Sequence, residues 1–228
     1  MPVASLPSPN HGPRKGGAAP DLIVLHYTAM ESCAAARDRL CDPLAEVSAH
    51  YLIDESGDID QLVDEDRRAW HAGAGAWGPV TDVNSRSVGI ELDNPGDRPF
   101  AAAQIAALES LLADIMTRRS IPPERVIGHS DMAPTRKSDP GPHFPWQRLA
   151  DAGLSVWPGT FDAVLLDASP ERIARLTAAL TVFGYRGSQS MALFHAFRLR
   201  FRPEAGPLDA ADLAMAEDLA RRWPVKPD

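Results

Sequence analysis

Two cysteines are all that the 228-residue chain contains, and that scarcity removes a disulfide framework as the source of its stability. Cys33 and Cys41 fall in one Ala-rich stretch that reads as a helix. At 1.5 Å per residue they stand about 12 Å apart, too far for a bridge, so two reduced, half-buried thiols are expected. Aromatic residues are few, at 7%. Lys and Arg (23) are outnumbered by Asp and Glu (31), a net charge of -8; phosphate-backbone binding needs clustered cations, so nucleic acid is excluded as the main partner. No apolar run is long enough to span a bilayer, and no membrane partner is expected. Residues 1–20 are rich in Pro, Gly and Ser, lack the apolar run of a signal peptide and hold no lipobox-like cysteine. A cytoplasmic protein is therefore expected, or a periplasmic one if the N-terminus is misassigned.

What is present is the composition of a globular protein, 44% hydrophobic and 24% charged. Residues 1–20 read as an extended arm. Residues 21–28 end a buried strand in His26-Tyr27-Thr28. A helix is expected over 31–41. Residues 48–53 and 59–63 form a hairpin about Gly57, and 69–84 form a Gly- and Trp-rich loop. Residues 87–92 form another strand. Ile105, Leu108, Leu111, Leu112 and Ile115 mark an amphipathic helix over 100–119, stopped by Pro122-Pro123. A strand over 125–129 leads into a Pro-rich loop, 133–145, and a helix near 146–152. The pattern predicts an α/β domain, a mixed central sheet flanked by helices, over 21–152. A connector, 153–168, then leads to a small C-terminal three-helix domain, 169–228, with helices near 169–183, 189–200 and 208–223. A unit of that size is marginal alone and should dock on the first.

Three potential metal ligands stand at strand ends or in an adjoining loop: His26, His129 and Asp139. Two imidazoles and a carboxylate meet the count of a catalytic zinc site, three protein ligands with one position open. No local motif such as HExxH fixes their geometry, and each histidine alone also suits a surface or hydrogen-bonded role. Glu91 is a carboxylate in an apolar strand, which suits either a salt-bridged structural residue or a general base. Lys137, two residues before Asp139, is either a solvated loop cation or an oxyanion stabiliser. Trp70-His71-Ala72-Gly73 and Trp77 make an aromatic, Gly-rich loop of the kind that recognises sugars or peptides, although tryptophans also simply pack.

Several segments, taken in order, resemble the type 2 N-acetylmuramoyl-L-alanine amidases, the AmpD and AmiD group, related to the peptidoglycan recognition proteins. They are residues 23–28, 48–53 with Gly57, and 70–73; then Asn84 and residues 87–92; and last 128–134 and 136–141. The resemblance implies Zn2+ held by His26, His129 and Asp139, Glu91 as base and proton shuttle, and Lys137 on the oxyanion. Substrate contacts are expected from Tyr51, His71, Trp77 and Asn84. Residues 183–185, 194–198 and 201–203 resemble the helical peptidoglycan-binding-like domain of AmiD-type members. The expected activity is zinc-dependent hydrolysis of the bond between N-acetylmuramic acid, or its anhydro form, and L-alanine. Peptidoglycan fragments or muropeptides are the expected partners, and a monomer the expected state. A non-catalytic peptidoglycan-binding module and a zinc peptidase cutting within the stem peptide are the alternatives.

Overall fold

The computed structural model describes residues 3–226. Its strands are β1 (Val3–Ser5), β2 (His11–Pro13), β3 (Leu22–Tyr27), β4 (Tyr51–Ile53), β5 (Ile59–Gln61), β6 (Arg67–Ala69), β7 (Ser87–Leu92) and β8 (Val126–Gly128). Its α-helices are α1 (Cys33–Cys41), α2 (Val83–Arg86), α3 (Ala102–Arg119), α4 (His129–Met132), α5 (Trp146–Asp151), α6 (Pro170–Phe183), α7 (Ser190–Phe201) and α8 (Ala210–Arg222). The main sheet has the order β1-β5-β4-β7-β3-β8 and is parallel except at β4-β5, while β2 and β6 form a separate antiparallel ribbon.

Period-2 alternation on the central strands decides which side chains go where. On β3, Ile23 and Leu25 face the same side as Val88, Ile90 and Leu92 of β7. That side is covered by Ile105, Leu108, Leu111, Leu112 and Ile115 of α3. Leu22 and Val24 point the other way, with Ile127 of β8, into a cluster shared with Trp77 and with Leu176, Leu180, Phe183, Phe197 and Leu219 of the last three helices. Those helices thus share a core with the sheet, and Phe194, Phe197 and Phe201 are packed inside it.

Local signals explain most boundaries. Gly57 has φ +92, and a Cβ there would lie 2.9 Å from the Ala103 carbonyl oxygen, so only glycine fits the β4-β5 turn. Ser169 caps α6 ahead of Pro170, and Asp209 and Asp212 form a capping box on α8. The N-terminal arm is extended but not idle. β1 adds to the sheet edge, β2 pairs with β6, and the buried Arg14 guanidinium donates to the carbonyls of Glu65, Ser85 and Ser87. One expectation changes in a way that matters: His129 does not end a strand but opens the one-turn helix α4 directly after β8. Cys33 and Cys41 are free thiols. Among the described residues no helix is long and apolar enough to cross a membrane.

Candidate functional site

His26 is the fifth residue of β3, on the face of Leu22 and Val24, and pairs in register with Glu91 of β7. Parallel pairing of β8 on the other side of β3 delivers His129 to the same end of the sheet. Asp139 folds back over both, pinned where Ser130 N–H donates to its carbonyl at 2.9 Å. His26 Nδ1, His129 Nδ1 and Asp139 Oδ2 form a triangle with edges of 2.9, 3.0 and 3.0 Å. All three residues are buried, and together they form the one group of metal-ligand type among the described residues.

The electrostatics suit ligation. Burial, reinforced by His129, pushes His26 down to about 4, so its ring is neutral at neutral pH. Burial raises the Asp139 carboxyl, but the close approach of His129 and His26 outweighs it and holds the group well below the ordinary carboxylate range. Donor atoms sharing an ion at 2.0–2.1 Å in a tetrahedron stand roughly 3.3 Å apart, close to the edges found here. His129 Nε2 faces the Ala72 carbonyl at 2.9 Å, which makes Nε2 the protonated nitrogen and leaves Nδ1 its lone pair. The residues present therefore fit a zinc ion.

Glu91 lines the same cleft, of about 410 Å³, with Lys137, His71 and Trp70. Its Oε2 is buried and has no hydrogen-bond partner among the described residues. Burial, with Asp139 adding to it and Lys137 opposing it, raises the carboxyl well above its ordinary value. A carboxyl with raised proton affinity beside a group of metal-ligand type has the property required of a group that takes up and returns a proton.

The expected substrate contacts divide. His71 lines the cleft. Tyr51 does not: it is 5% exposed, and its hydroxyl donates to Glu65 Oε1 at 2.7 Å on the α3 side of the sheet. Trp77 is fully buried, edge-on to Phe183 and Tyr185. Asn84 acts behind the loop, its Oδ1 accepting from His71 N–H at 3.1 Å and Ala72 N–H at 2.8 Å. It thereby sets the carbonyl that orients His129. Trp70, from the loop read as suited to sugars or peptides, lines the cleft, as do Arg39 and Arg136, which the sequence did not single out as site residues. Arg136 Nη2 donates to the Ala72 and Ala74 carbonyls, both at 2.7 Å, tying the two loops together.

Two imidazoles and a carboxylate gathered at one end of the sheet, beside a carboxyl whose Oε2 has no hydrogen-bond partner among the described residues, define the class: an α/β protein with the groups of a metal-assisted hydrolase. Residues 16–142 match the family described as N-acetylmuramoyl-L-alanine amidase (Amidase_2), and the chain belongs to that family. The N-acetylmuramoyl-L-alanine amidase AmiD of Escherichia coli K12 is 38% identical over 234 residues, covering 89% of this chain and 83% of its own length. The 1,6-anhydro-N-acetylmuramyl-L-alanine amidase AmpD of Enterobacter cloacae is 35% identical over 161 residues, 63% of this chain and 86% of the relative. Among solved structures, the complex of E. coli AmiD with anhydro-N-acetylmuramic acid-L-Ala-D-gamma-Glu-L-Lys superposes with a TM-score of 0.80 at 36% identity. It covers 93% of this chain and 91% of its own. AmpDh3 of Pseudomonas aeruginosa in complex with anhydromuramic pentapeptide gives 0.76 at 33% identity, covering 90% and 93%.

Proposed function

We propose that the chain is a zinc amidase that hydrolyses the bond between N-acetylmuramic acid, or its anhydro form, and L-alanine in peptidoglycan fragments. The observation that carries this reading is the triangle of His26, His129 and Asp139 with Glu91, whose Oε2 has no hydrogen-bond partner among the described residues, lining the same cleft. A zinc ion held there supplies Lewis acidity toward the scissile carbonyl and makes water a better nucleophile at neutral pH. Glu91 takes the proton from the attacking water and returns it to the departing L-alanine nitrogen. Lys137, an exposed cation on the cleft wall, stabilises the oxyanion of the tetrahedral intermediate. Arg39 and Arg136 line the cleft as well, so three basic side chains, with Lys137, stand around Glu91 and Asp139 on a protein of net charge -8. That suits a substrate bearing free carboxylates, such as the anhydromuramyl tripeptide bound by E. coli AmiD.

The test is product analysis by mass spectrometry, using purified protein and anhydro-N-acetylmuramic acid-L-Ala-D-γ-Glu-L-Lys, before and after chelation and after zinc is returned. The expected products are the free lactyl sugar and an intact peptide beginning with L-alanine, lost with chelation and regained with zinc. Cleavage inside the peptide supports a peptidase instead, and binding without turnover supports a non-catalytic module.

A further inference from the structure

His71 lies across the two strands that carry the site. Its ring rests on the backbone of β7, so that a Cβ built on Gly89 would stand 2.4 Å from its Cγ. Its Nδ1 is 3.0 Å from His26 Nε2, and its Nε2 is 3.1 Å from Ser87 Oγ. The rings of His71 and His26 meet nearly at right angles, 82°, with centroids 5.1 Å apart, as an edge-on N–H···N contact requires.

The direction of this chain of hydrogen bonds is fixed at its far end. Ser87 Oγ is 2.6 Å from the Val83 carbonyl oxygen, which can only accept, so the hydroxyl proton is spent there. Toward His71 the hydroxyl then presents a lone pair, and His71 Nε2 must carry the hydrogen. That leaves His71 Nδ1 bare, and it accepts from His26 Nε2–H. His26 Nδ1 is consequently bare as well, and it is the atom standing 3.0 Å from Asp139 Oδ2. A backbone carbonyl on α2 thus dictates, through Ser87 and His71, which nitrogen of His26 offers its lone pair. Asn84 Oδ1 holds the His71 and Ala72 amides, so the loop that orients His26 through its side chain also orients His129 through the Ala72 carbonyl.

We infer that His71 is a positioning residue: through the Ser87–His71–His26 relay it locks His26 in the tautomer that ligates through Nδ1, and it is not a contact for the substrate. The inference rests on the reading that zinc occupies the His26–His129–Asp139 triangle. Groups that orient a metal-bound imidazole typically contribute 10–100-fold in metal affinity.

The test needs no substrate. Zinc affinity is measured by competition with a chromophoric chelator for the wild type, His71→Phe, His71→Asn and Ser87→Ala. Phenylalanine keeps a ring over Gly89 but offers no acceptor, and zinc affinity should fall about 10–100-fold. Asparagine returns an acceptor near the Nδ1 position and should recover most of the loss. Ser87→Ala, a smaller change that covers the case in which His71→Phe fails to fold, should weaken binding in the same direction by a smaller factor. At saturating zinc, KM for the anhydromuramyl tripeptide should stay within about threefold of wild type in His71→Asn. Wild-type zinc affinity in His71→Phe or Ser87→Ala overturns the inference, as does a raised KM with unchanged metal affinity. A wild-type protein that binds no zinc fails the functional reading itself, a result visible before any variant is compared.

Discussion

Asp131 and Arg200 form a buried ion pair that joins α4 to α7, with Oδ2 and Nη1 2.7 Å apart and neither side chain more than 1% exposed. The pair is embedded in further bonds: Asp131 accepts from Gly128 N–H at 2.8 Å and from the Tyr185 hydroxyl at 2.6 Å. Arg200 Nη2 donates to the Val126 carbonyl and to Ser155 Oγ, both at 3.1 Å, and its guanidinium lies 4.3 Å from the centre of a Trp146 ring. The turn that begins with His129 is therefore fixed from beneath by a residue about 70 positions later in the chain.

Removing the cation alone leaves a carboxylate in a dry site. Arg200→Leu is expected to cost about 3–5 kcal/mol of stability. Urea unfolding checks it, and a loss below about 1 kcal/mol would show that Asp131 finds water or another partner.

Glu91→Gln keeps the shape of the side chain and removes its basicity. It should bind as much zinc as wild type while kcat falls by about 10²–10⁴. Metal analysis of the purified variant beside its rate of L-alanyl peptide release decides the matter, and full turnover by a metal-replete variant would remove Glu91 from the mechanism.

Lys137 is exposed and makes no ion pair among those found in the described residues, so Lys137→Met should leave thermal stability almost unchanged. Losing a cation that acts on the developing oxyanion should lower kcat by roughly 10²–10³ with little change in KM. Equal losses in thermal stability and in activity would point to a structural lysine instead.

Acid should act through Glu65. Burial alone would raise this carboxyl, but hydrogen bonds from Arg118, Arg119 and Tyr51 overcome it and hold it at about 2, down from 4.5. Because the folded value is depressed, the pair contributes fully above about pH 4.5, and the contribution is lost as pH falls through about 2. Arg118 is 43% exposed, so solvent screening limits the effect to about 2 kcal/mol. Melting curves of wild type and Glu65→Gln should differ most near pH 6 and converge toward pH 2; a constant gap would rule this origin out.

Much of the framework could be read from sequence because it is governed by local rules. Short apolar runs within residues 21–28 and 87–92 marked two buried strands, the spacing from Ile105 to Ile115 marked α3, and Gly57 marked the hairpin. His26 and Glu91 stood out because a polar residue ends or interrupts an apolar strand. What was hidden depends on partners remote in the chain. Trp77 sits in a Gly-rich loop and looks like a binding residue until Phe183 and Tyr185 close over it. Tyr51 and Asn84 belong to motif segments yet act through Glu65 and through loop amides. Arg14 lies in a Pro- and Gly-rich arm with nothing nearby to announce that its charge is buried against backbone carbonyls. His71 carries no signal in its neighbours that separates holding another histidine from holding a sugar.

The shared cluster of Leu22, Val24 and Ile127 with the last three helices has a practical corollary. Anyone trimming this chain to its first 150 or so residues would uncover a greasy floor directly under the imidazoles. The shortened product should precipitate or clump unless that floor is repainted with polar side chains first.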